Sequence, residues 1–155
     1  MALSGGRRIV RDLWDVGARH GRVPDPTPEV DPWEDQDPCE APRELAVVFP
    51  GTPPFTVRLF LDGQDTISIE DSVDLEVPRH DTVAVVEALL SGAARLRVGR
   101  AGPLARLCAL VMLNPMMTDL VVRLPEDGRT YTAPVPYTFG QGPWGWGIPW
   151  EREPG

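Results

Sequence analysis

Proline occupies positions 24, 26, 28, 32, 38 and 42 of this chain, and a segment punctuated that densely forms neither a helix nor a central strand. Each ring removes a backbone donor and pushes the preceding residue to extended geometry. The same restriction returns at the other end, where GQGPWGWGIPW fills positions 140–150. Ordinary helix or strand patterning is therefore confined to the first two dozen residues and to a central stretch. Four parts follow: an amphipathic N-terminal helix at 1–22, an extended acidic connector at 23–44, a core domain at 45–137 and a Gly/Pro/Trp-rich tail at 138–155. The length of 155 residues is enough for one hydrophobic core with chain left over for arms.

Charge sharpens this division. The first part carries a net charge of +3, the connector −7, the centre −3 and the tail −1, within a total of −8. A surface this acidic does not attract a phosphate backbone, which argues against nucleic acid as a partner. It favours cationic partners or plain solubility. All fifteen basic residues are arginine, a bias that codon usage in a GC-rich genome explains without invoking anion binding. No apolar segment is long enough to span a bilayer, since the longest run, LCALVMLNPMM at 107–117, holds Asn114 and Pro115. The opening MALSGGRRIVRDLW lacks the apolar stretch of a secretory signal. The expectation is a cytoplasmic protein in which Cys39 and Cys108 are reduced thiols.

In the first part, Ile9, Val10, Leu13, Trp14 and Gly17 fall near one helical face, with Ser4 as N-cap and an end near Gly21. In the centre, FTVRLFL (55–61) predicts a strand with Val57, Leu59 and Leu61 on one face, and Asp62-Gly63 predicts a hairpin turn. From Ile67 through Val77 the apolar residues keep period two except at Asp71, which predicts one long strand bulged at its middle. Next, RHDTVAVVEALLSG predicts a helix capped by Asp81, with Val83, Val86, Leu89 and Leu90 as its stripe and Gly92 just beyond its end. A short strand at 94–98, an apolar segment at 103–114 that reads as a buried helix, with a strand as the alternative for so short a run, and a hairpin turning at Asp127-Gly128 complete the order. The fold class is α+β: a small mixed or antiparallel sheet with one or two packed helices, an N-terminal helix and extended arm, and an extended tail.

Within this order, residues 55–92 resemble the ubiquitin-like β-grasp pattern, a hairpin whose second strand, ending LEVPRHDTVAVVEALL, runs straight into a helix. The likeness covers about a quarter of the chain. The apolar insertion at 103–117 departs from that family, and no diglycine ends the tail, so conjugation is not implied.

No constellation of catalytic residues stands out. A nucleophile needs a base within reach, and the two histidines, His20 and His80, fall at a helix end and in a turn, where they are expected to be solvated. Cys108 sits among Leu107, Ala109 and Leu110, the setting of an inert core thiol. Phosphate-loop, dinucleotide and nucleophile-elbow fingerprints are absent. Asp31, Glu34, Asp35, Asp37 and Glu40 form the densest group of carboxylates, but without the turning glycine of a calcium loop they read as a solvated connector. No enzyme, metal or cofactor is expected.

The five tryptophans, Trp14, Trp33, Trp144, Trp146 and Trp150, all fall outside residues 45–137. Truncating a buried Trp typically costs about 3–5 kcal/mol, so a chain rarely leaves this many in water. Either the arms fold back on the domain, or these residues anchor a partner or a second copy. The expected function is a non-enzymatic interaction protein, an accessory or assembly subunit that docks through these tryptophans and through Asp31, Glu34, Asp35 and Asp37. The competing expectation is an acidic inhibitory or immunity-type protein that binds a cationic target.

Overall fold

The computed structural model describes residues 2–25, 43–98, 103, 118–135 and 151–152. Helix α1 (Ala2–Arg19) is followed by four strands, β1 (Arg43–Phe49), β2 (Phe55–Phe60), β3 (Gln64–Ile69) and β4 (Val73–Pro78). Helix α2 (Arg79–Leu90) then leads to β5 (Arg95–Val98), β6 (Thr118–Arg123), β7 (Thr130–Val135) and the two-residue β8 (Glu151–Arg152). The first four strands form an antiparallel meander in chain order. The second sheet runs β7-β6-β5-β8, antiparallel except where β8 joins β5 in parallel. The two sheets touch where β4 meets β7. Helix α2 packs against β3, β4 and β6, while α1 packs against α2 and β1. The α+β class expected from the order of elements is the observed one.

One core runs through both sheets and both helices. Val47, Val57, Ile67 and Leu75 are aligned across the meander and are all fully buried. A second row joins Phe49, Phe55, Ile69 and Val73, with the two phenylalanine rings stacked 4.6 Å apart. Alternation at period two explains why these side chains share a face. From α1, Leu13 and Val16 enter the same core, each burial worth about 1.5–3 kcal/mol. Residues 9, 10, 13, 16 and 17 therefore form the stripe of α1, and Trp14 lies at its margin, half-buried.

Both helices end as glycine at the C′ position predicts. Gly21 (φ 68°) follows α1, where Arg22 N–H donates to the Gly17 carbonyl at 2.8 Å and Gly21 N–H to Ala18 at 3.2 Å. Gly92 (φ 74°) follows α2 with the same pair of bonds, from Ala93 to Ala88 at 2.9 Å and from Gly92 to Leu89 at 3.4 Å. This is the Schellman arrangement, which satisfies carbonyls that the last turn leaves open.

Several local expectations are corrected. The long bulged strand is two strands: Glu70 (φ 50°) and Asp71 (φ 52°) both adopt the left-handed conformation, and with Ser72, whose N–H donates to the Ile69 carbonyl at 3.0 Å, they form a three-residue loop that turns β3 back on β4. The broken period at Asp71 marks a turn, not a bulge. Leu61 falls in the β2–β3 turn and is exposed, while Phe55 supplies the buried position at the other end of β2. Helix α2 begins a turn earlier than expected, with Pro78 at the N-cap position and no side-chain cap. Asp81 is thus inside the first turn, buried. Strand β1 was not expected at all, although its run from Leu45 to Phe49 ends at Pro50-Gly51 as a strand should. The β-grasp resemblance stops at the passage from β4 into α2, because that hairpin belongs to a four-stranded meander and the next strands enter a second sheet. Of the apolar segment at 103–114, residues 104–114, Cys108 among them, lie outside the described residues, as does Cys39.

The start of α2 is fixed by a buried ion pair. The Asp65 carboxylate, fully buried, accepts from Arg79 Nε at 2.9 Å on both oxygens, from Thr82 Oγ1 at 2.7 Å and from Phe60 N–H at 3.4 Å. Desolvating a carboxylate is tolerated only when its lone pairs are satisfied in this way. The result ties the β2–β3 hairpin to the first turn of α2, which sets the position of the residues that follow.

Candidate functional site

Beyond that anchor, α2 and the β6–β7 hairpin diverge and leave an open groove of about 540 Å³. Ala84 and Ala88 of α2 and Ser91 at its C-cap, at helical spacing, line one side, and Leu124 and Pro125 line the other. Small side chains on the helix make the space. Charged groups surround it: Asp81, Glu87, Glu126 and Asp127 against Arg123 and Arg129, with His80 beside them.

Most of these groups hold one another. The buried Asp81 carboxylate receives Arg129 Nη1 at 2.5 Å and the Tyr131 hydroxyl. Arg129 also donates to Asp127, and its Nη1 lies 2.8 Å from His80 Nε2. Asp127 accepts the Arg129 N–H at 3.0 Å as well, closing the β6–β7 turn. That backbone bond, more than the guanidinium, holds the Asp127 carboxyl below its ordinary range. Arg129 is raised, first by its bond to Asp127. Burial, followed by the bond to the Asp81 carboxylate, pushes Tyr131 up to about 12. At neutral pH Tyr131 is therefore a protonated donor and Asp81 its acceptor. Glu87 pairs with Arg19 of α1 at 2.6 Å and lies 3.4 Å from His20.

Of the residues expected to form a site, Trp14 is on α1, half-buried and away from the groove lining. Trp33, Trp144, Trp146, Trp150, Asp31, Glu34, Asp35 and Asp37 lie outside the described residues. His80 is exposed as expected but lies in a helix rather than a turn, while His20 sits at the expected helix end but is partly buried. His80 is the second residue of α2, exposed, and in contact with Arg129. His20 is 24% exposed and turned toward Glu87.

The residues that sequence reasoning missed are Asp81, Arg129 and Tyr131. Asp81 lies 50 positions from Tyr131, with Arg129 two positions before the tyrosine, and only the docking of the second sheet on α2 brings the acid to the other two. The one available signal was Asp81 itself, an acid in the first turn of a helix whose N-cap position is already taken by Pro78. Among the described residues, no group of three or more histidine, cysteine, aspartate or glutamate side chains has the arrangement of a metal site, and no helix is long and apolar enough to cross a membrane. Comparison of the chain with protein-family models, with curated proteins and with solved structures finds no match.

Proposed function

We propose that this chain is a non-enzymatic protein-interaction domain, an accessory or assembly subunit that seats part of a partner in the groove between α2 and the β6–β7 hairpin. The observation that carries the reading is the groove itself: a space of about 540 Å³, open to solvent, with small side chains along its helix. Its polar wall is tied together before any partner arrives, because Asp81 holds both Arg129 and, behind the lining, Tyr131, while Arg129 holds Asp127. A preorganised wall loses little entropy on binding. The same pairing works against an acid–base role, since Asp81 is occupied by a guanidinium and a phenol that stays protonated at neutral pH. The tryptophan-bearing segments remain, in this reading, further points of attachment.

The test compares the full chain with an Ala84→Trp variant, purified from the native host. Ala84 is exposed and lines the groove, so the indole fills the space without touching the core. The wild type should co-purify a protein in stoichiometric amount that the variant loses while melting at the same temperature. Identical co-purifying proteins from both would place docking elsewhere.

A further inference from the structure

We infer that the occupant of the groove is a cationic side chain, an arginine or lysine carried by the protein partner; the inference rests on the docking reading above and names the chemistry it takes. Such a side chain combines an apolar stem with a charged head, and the groove offers a surface for each. Ala84, Ala88, Leu124 and Pro125 provide an apolar lining for the stem.

The charge of the lining selects the head. Four carboxylates stand against two guanidiniums. Arg129 is enclosed by Asp81 at 2.5 Å and by Asp127, two acids for one base, so this cluster retains one negative charge. Glu87 is answered by Arg19 at 2.6 Å. Glu126 makes no hydrogen bond or ion pair among the described residues, and it is the acceptor open to an incoming cation. Asp127, held ionised by the backbone of its own turn, stands next to it in the chain. Arg123 also lines the groove and is the one group there that favours an anion instead. The whole chain carries a net charge of −8, which speeds the approach of a basic partner and slows that of an acidic one.

The experiment titrates the full-length, isotope-labelled chain with four blocked tripeptides, glycine-X-glycine with X as arginine, lysine, citrulline or glutamate, and follows backbone amide shifts. The arginine or lysine peptide should move amides within residues 84–93 and 124–129, and the effect should fall several-fold between about 50 and about 300 mM salt, because an exposed attraction is screened. Citrulline, which keeps the shape and loses the charge, should leave them in place. Glu126→Gln should weaken the cationic peptides about two- to fivefold, the range of an exposed ion pair. Equal shifts with citrulline, a response to the glutamate peptide alone, or no shift with any peptide would each overturn the inference. The two readings also separate. If Ala84→Trp removes the native partner while no cationic peptide binds, docking stands and the cationic occupant does not. If a cationic peptide binds but the partner is retained by Ala84→Trp, the groove is a cation site and docking lies elsewhere.

Discussion

A glycine in the interior of a helix is usually a weak point, and replacing it with alanine gains up to about 1 kcal/mol. Gly17 of α1 should behave in the opposite way. A Cβ built there would lie 2.5 Å from the Arg22 carbonyl oxygen, 2.9 Å from Pro24 Cδ and 3.0 Å from the Phe49 ring. The nearest of these is backbone, part of the turn that closes the helix, and cannot swing aside. Gly17→Ala should therefore destabilise the chain by about 1–3 kcal/mol, read as a lower urea midpoint; an unchanged or higher midpoint would show that the chain after α1 is free to shift. Tyr131 gives a prediction of another kind. Its folded value is raised from 10.0 to about 12, so its bond to Asp81 contributes fully below pH 10 and is lost as the pH climbs from there toward 12. Unfolding free energy should decline over that window, and Tyr131→Phe should flatten the decline. At neutral pH the same substitution should cost about 1–2 kcal/mol, since a carboxylate loses a donor. A slope identical in wild type and variant would mean that Tyr131 titrates like a free phenol.

At the scale of elements, the β3–β4 loop is the place where local chemistry and fold disagree. Glu70 and Asp71 both sit at positive φ, which glycine and asparagine tolerate and glutamate does not. Burial also disfavours the charged form of Glu70, raising its carboxyl above the ordinary value. The double change Glu70→Asn, Asp71→Gly should raise stability by about 1 kcal/mol, measured by chemical unfolding. A loss instead would show that these side chains make contacts worth more than the relief of the loop. Strand β8 is the complementary case. It consists of two residues, paired with Arg95 and Leu96 at the edge of the second sheet. Deleting residues 151–155 should cost about 1 kcal/mol and speed amide exchange in β5 while leaving β2 and β3 protected. Unchanged exchange in β5 would mean that this pairing contributes nothing in solution.

For the molecule as a whole, the division of labour is visible in what joins the parts. Local signals were enough for the body of α1 and its stop near Gly21, though not for its start, since the helix begins at Ala2, ahead of the expected cap Ser4. They were also enough for the hairpins at Asp62-Gly63 and Asp127-Gly128 and for the α+β class, because capping glycines and short turns act over a few positions. The same reasoning misread residues 67–77 as one strand, since Glu70-Asp71 is an uncommon choice for a loop with two left-handed positions and alternation continues on both sides of it. It treated α1 as part of an arm because an amphipathic stripe says that a helix is buried but not against what; Leu13 and Val16 prove to share the core of the sheets. The groove lay furthest from view. His80 and Asp81 of α2 meet Arg129 and Tyr131 of the β6–β7 hairpin only because the second sheet comes to rest beside β4, and no pattern along the chain encodes a contact between residues about fifty positions apart. The sequence by itself determined the α+β class, the glycine stops of both helices and the turns at Asp62-Gly63 and Asp127-Gly128, through periodicity and backbone chemistry that act over a few residues. The tertiary structure alone decided which charged side chains are paired, which are buried and where open space remains, because those depend on distances that arise only when two sheets and two helices pack around one core.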